Sequence, residues 1–126
     1  MEIEEKEMPS VFTMKAKTQF KDLAEGCAEM LRDYLERRLG GKWGKILKYH
    51  TSSHWRYSCK HKDIIVLAKT GFHGTLYSAT IANKPSTTGI STHPEIAVLR
   101  ALELFKEKNP KSWKQYQHNI EDLTID

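Results

Sequence analysis

Three histidines, a cysteine, an arginine and two lysines fall within the fourteen residues His50 to Asp63, HTSSHWRYSCKHKD. Side chains of these types support three chemistries: metal coordination by imidazole and thiolate, proton transfer between paired histidines, or electrostatic capture of phosphate. Spacing decides among them. His50, His54, Cys59 and His61 include neither the C-x-x-C pairs of a structural zinc site nor a helical H-E-x-x-H. From His54 to Lys62 the pattern alternates, with Trp55, Tyr57, Cys59 and His61 on one face of a strand and His54, Arg56, Ser58, Lys60 and Lys62 on the other. His54 and Cys59 then point to opposite faces, so no metal site is expected, and no cofactor motif is present.

The phosphate reading asks only for charge and reach. Arg56, Lys60 and Lys62 share a strand face, and Lys45, Lys48 and Lys69 extend the patch along neighbouring elements. Residues 36–70 hold nine Lys/Arg against two Asp/Glu, a local excess of +7 within a chain of net charge +4. Such an excess suits phosphate backbones or an acidic protein partner. Trp55 and Tyr57 lie on the face opposite Arg56 and are read as core rather than as stacking platforms.

The elements that must position these residues follow from periodicity. Phe20, Leu23, Ala24, Cys27, Met30, Leu31, Tyr34 and Leu35 recur every three or four residues, an amphipathic helix entered near Thr18 and ended by Gly40-Gly41. The period then changes to two. His54–Lys62, Ile64–Lys69 and Thr75–Ala82 read as three strands, Trp43–Tyr49 is either a fourth at the edge or helical, and Asn83–Ser91 reads as a polar loop. Thr92-His93-Pro94-Glu95 fits a capping box for a helix marked by Ile96, Leu99, Leu102 and Phe105 and ended before Asn109-Pro110. Trp113, Tyr116, Ile120 and Leu123 anchor a tail or short helix.

The expected fold is α+β: helix, three- or four-stranded antiparallel meander sheet, helix, and a C-terminal tail or short helix. Residues 1–15 read as a disordered acidic lead-in, 16–108 as one domain, and 109–126 as an extension packing on the domain or on a partner. Ile64, Ile65, Val66 and Leu67 are apolar on both strand faces, so a helix, the tail or a second copy in a homodimer is expected to cover the second face. No apolar run approaches the roughly 20 residues of a bilayer span, the glutamate-rich start is unlike a secretory signal, and the two cysteines read as reduced core residues. A cytoplasmic location without membrane partners is expected.

Residues 86–105, STTGISTHPEIAVLRALELF, resemble the loop and second helix of double-stranded-RNA-binding domains, which implies an α-β-β-β-α topology. The lysine cluster that opens this helix in that family is replaced here by Thr92, His93, Pro94 and Glu95. Trp43 to Phe105 is similar to small phage-encoded α-β-β-β-α sandwich proteins, in the tryptophan-bearing strand His54–Lys62 and the helix start Thr92–Ala101. That resemblance implies accessory phage biology. His50-Thr51-Ser52 and His73-Gly74-Thr75 fit H-x-S/T and resemble the paired motifs of 2H phosphoesterases, which would make His50 and His73 acid and base and Ser52 and Thr75 phosphate holders. That family separates its motifs by a repeat several strands long, which this chain lacks, so the enzyme reading is secondary. The sequence reads as a small non-catalytic binding protein contacting nucleic-acid phosphates. The alternative is a phage-type accessory protein or inhibitor that binds an acidic host protein or a small nucleotide.

Overall fold

The alternation that begins at His54 becomes a five-stranded antiparallel meander in the computed structural model, which describes residues 26–46, 54–71 and 74–125, without the side chains of His54 and Trp55. Helix α1 spans 26–39. Strands β1 (Gly44–Ile46), β2 (His54–His61), β3 (Ile64–Gly71), β4 (Gly74–Ile81) and β5 (Lys84–Ser91) follow, then helices α2 (Pro94–Lys108) and α3 (Pro110–Asn119). The α+β class stands, with one strand more than the sequence suggests. The lead-in 1–15 and the Thr18 cap lie outside the described residues.

Tight turns set the register. Lys62 joins β2 to β3 and Ala82-Asn83 joins β4 to β5, all three with positive φ, at 55°, 54° and 56°. Two-residue hairpins require this backbone because its twist matches that of the strands they join. The β4–β5 turn is why Asn83–Ser91 is not a loop: it returns KPSTTGIS alongside β4, pairing Tyr77 with Ser91 and Ala79 with Gly89. The buried Thr87 hydroxyl accepts from Ile81 N and donates to Lys84 O at 2.8 Å, filling the irregularity near Ile81.

One cross-strand row fixes where the helices lie. Cys59, Val66, Ala79 and Gly89 are successive partners across β2 to β5, so their side chains share a face. At one end of this row the Cys59 thiol donates to Ala28 O of α1 at 3.3 Å. At the other, a Cβ on Gly89 would stand 2.4 Å from Ala97 O and 2.6 Å from Ala101 N of α2. Both helices therefore cover the same face, over a core that includes Leu31, Leu35, Ile64, Val66, Ile81, Val98 and Leu102. The helix-on-each-side arrangement is not adopted by α1 and α2.

The entry to α2 also differs from the capping box. His93 is the N-cap and Pro94 the first helical residue, which places Glu95 one position too early to reach back to Thr92. Ser91 Oγ accepts from His93 N instead, at 3.1 Å. Glu95 Oε2 accepts from the Tyr34 hydroxyl of α1 at 3.0 Å.

The C-terminal extension closes the far end of the core. Tyr116 of α3 stacks on Phe105 with ring centroids 4.7 Å apart, and its hydroxyl donates to Asp63 Oδ1 at 2.6 Å. Ile120 and Leu123 are buried beyond it, and Leu123 bridges to Gly40. At the opposite edge of the sheet, Arg100 of α2 donates to the Ile90 carbonyl of β5 at 2.6 Å, and Pro85 sits near the start of that strand.

Candidate nucleic-acid interface

The sheet face turned away from α1 and α2 carries the residues that alternate with the buried row. Arg56, Ser58 and Lys60 come from β2, Ile65, Leu67 and Lys69 from β3, Leu76, Ser78 and Thr80 from β4, and Thr88 and Ile90 from β5. Arg56 and Lys69 are direct cross-strand partners. Lys60 stands four residues along β2 from Arg56, about 13 Å at the usual strand rise, and is exposed, as is Lys69. None of β2, β3, β4 or β5 contains an aspartate or glutamate.

The sequence-expected patch thus divides. Arg56, Lys60 and Lys69 share the outer face. Lys45 does not: it is the cross-strand partner of Cys59, so it faces the helices, where its ammonium is 2.9 Å from Glu29 Oε2 of α1 and holds that carboxyl below its ordinary range. Lys62 does not either. Its turn conformation carries it off the strand face, and its ammonium donates to Asn119 O at the end of α3. Lys48 lies outside the described residues, as do His50, Ser52 and His73. Thr75 is on β4 with its hydroxyl 2.9 Å from that of Thr70.

Two of the potential metal ligands, Cys59 and His61, are engaged elsewhere. Cys59 is wholly buried, and burial above all pushes its thiol up to about 11, which keeps it protonated at neutral pH. His61 is buried with Nδ1 on Lys42 O at 2.8 Å and Nε2 on Asp122 Oδ1 at 3.2 Å. Among the described residues no three His, Cys, Asp or Glu side chains come together to hold a metal ion, and no helix is long and apolar enough to cross a membrane. Cys27 and Cys59 are free thiols.

Pattern reading of charge alone missed the apolar half of this face. Leu76 is 48% exposed and Ile90 50%, and Ile65 and Leu67 are half-buried beside them. The doubly apolar run of β3 was the available signal. On the helix side of the sheet, a separate cleft of about 500 Å³ lies between α1 and the start of α2, lined by Met30, Tyr34, Arg37, Tyr57, Tyr77 and His93 among others. Burial, then the neighbouring Tyr57 hydroxyl, raises the Tyr77 phenol well above its ordinary range, so this floor is neutral.

No protein family, curated protein or solved structure matches the chain.

Proposed function

We propose that the chain is a non-catalytic binding protein whose outer sheet face contacts nucleic-acid phosphates through Arg56, Lys60 and Lys69. The observation that carries this reading is the placing of Arg56, Lys60 and Lys69 on one sheet face, on strands whose own sequences hold no carboxylate. Cations grouped on one face take up phosphate by charge and reach, in a binding that weakens with salt. The serine and threonine hydroxyls of Ser78, Thr80 and Thr88 add short-range donors to phosphate oxygens. Free thiols and the local cationic excess suit a cytoplasmic setting.

A second reading rests on Leu76 and Ile90. Exposed apolar side chains beside cations also fit an acidic host protein, as expected of a phage-type accessory factor, or a second copy of this chain. Fluorescence-anisotropy titrations of labelled double-stranded RNA, double-stranded DNA and single-stranded DNA, at low and near-physiological salt, separate the two. Saturable binding that weakens with salt and is abolished in Arg56→Glu/Lys60→Glu supports the nucleic-acid reading. Absence of binding to all three at low salt removes it in favour of a protein partner.

A further inference from the structure

The apolar side chains of the outer face run between its lysines. Leu76 of β4 is the cross-strand partner of Lys69, and Ile65 of β3 is that of Lys60. Leu67 lies between them, two residues from Ile65 along β3 and diagonal to Leu76 across to β4. Its own partner on β4 is Ser78, whose partner on β5 is Ile90. Ile65, Leu67 and Leu76 thus form a stripe with Ile90 at its side, closed by Lys60 at one end and by Lys69 at the other. Both lysines are exposed, as are Leu76 and Ile90. Four residues along the strand and one strand across separate the lysines, about 14 Å at usual strand dimensions.

A double helix cannot use that stripe. Its bases are paired inside, and its major groove, about 12 Å wide, admits a helix or a two-stranded ribbon. Strands β2 to β5 spread over about 14 Å before any side chain is added, and the stripe lies on the middle two. Duplex phosphates can reach the lysines, but they leave Leu67 and Leu76 against charged backbone. A second copy of this chain fits no better. A two-fold contact sets the same surface against itself, and β2 to β5 hold no carboxylate to meet the lysines. A single strand supplies both chemistries at once, because each nucleotide carries a phosphate and an unpaired base with an apolar face. Phosphates held at Lys60 and Lys69 set the intervening bases over Ile65, Leu67 and Leu76.

We infer that the outer face takes single-stranded nucleic acid in preference to duplex, with Lys60 and Lys69 on phosphates and the Ile65–Leu67–Leu76 stripe under unpaired bases. The inference rests on the phosphate reading of this face and adds the contact that selects the kind of strand. Its two parts are separable. The lysines set the dependence on salt, and the stripe sets the preference for unpaired bases. Aliphatic side chains shed water against any base face without reading its edge, so the preference is tolerant of sequence.

The test uses one labelled mixed-sequence strand of about sixteen nucleotides, as DNA and as RNA, alone and annealed to its complement, titrated with the full chain at several salt concentrations. At least one of the two single strands is expected to bind about tenfold tighter than its own duplex. Leu76→Ser should weaken single-strand binding about fivefold with the salt slope unchanged, and leave duplex binding as it was. Ile90→Ser, at a second exposed position, repeats the measurement on another strand, and urea midpoints show that both variants are folded. Lys60→Gln should instead make the salt slope shallower. Duplexes that bind as tightly as their single strands overturn the inference and leave the phosphate reading standing. So do serine variants that bind single strands like the wild type while Lys60→Gln weakens them. Absence of binding to every probe at low salt overturns both.

Discussion

The Tyr34 hydroxyl donates to Glu95 Oε2 at 3.0 Å, joining α1 to the first turn of α2 across 61 residues of sequence. The second carboxylate oxygen, Oε1, is buried and has no hydrogen-bond partner among the described residues. The tyrosine hydroxyl thus ties this carboxylate to the facing helix. Tyr34→Phe leaves the ring in place and removes the bond. Hydrogen bonds to charged groups are worth about 1.5–3 kcal/mol, so a loss of about 1.5 kcal/mol is expected for this part-buried pair, read as a lower urea midpoint at unchanged m-value.

Gly89 is where β5 passes beneath α2. Gly89→Ala introduces a methyl group against the backbone of Ala97 and Ala101, which cannot swing aside as a side-chain tip would. Overpacking in cores costs about 1–3 kcal/mol, and a backbone obstacle puts this variant at or above the top of that range. Gly44→Ala on β1 meets nothing within 4 Å and has no positive φ, so its stability should move by no more than about 0.5 kcal/mol. Equal midpoints for the two variants would contradict the close approach of α2 to β5.

Cation position, not cation number, should govern polyanion binding. Lys69→Gln is expected to shallow the salt dependence by about 0.9 in log K against log salt for each phosphate that the lysine neutralises in the wild-type complex. Lys45→Gln removes the same charge from the helix side, where Glu29 already engages it, and should leave the slope unchanged. Identical slopes in the two variants would mean that binding senses net charge rather than the outer face.

The two cysteines should differ in reactivity. Half-buried Cys27 is expected to react with maleimide in the native protein, and Cys59, enclosed and with its thiol raised to about 11, only when the chain unfolds. The same shift sets a sign for stability. Folding keeps the Cys59 proton above the pH at which an unfolded thiol gives it up. Stability from this group is therefore full below the ordinary thiol range, and declines as pH rises through that range toward about 11. Cys59→Ala should flatten the alkaline fall in melting temperature.

Strand β2 was legible because Tyr57, Cys59 and His61 alternate cleanly with polar residues, and all three are buried. Strand β5 was not. Pro85, Gly89 and the threonines of KPSTTGIS score as loop, yet Gly89 is glycine because α2 crosses it, a tertiary requirement invisible to local propensity. The capping box failed for a related reason, since Pro94 at the first helical position moved the cap to His93. Lys45 and Lys62 carry the charges expected of a patch, but their directions depend on the register of β1 and on a turn with positive φ. Arg56, Lys60 and Lys69 were legible because strand alternation alone fixes their face.

Strand β5 is an edge, and an edge with free backbone donors and acceptors is a template for further strands. Here the Ile90 carbonyl is occupied by Arg100 and Pro85 lacks an N–H to offer. A neighbouring molecule seeking to extend the sheet finds an interrupted ladder. For an edge strand eight residues long, such interruptions are expected to slow fibril growth during heating or concentration, and Arg100→Ala should speed it without disturbing the core.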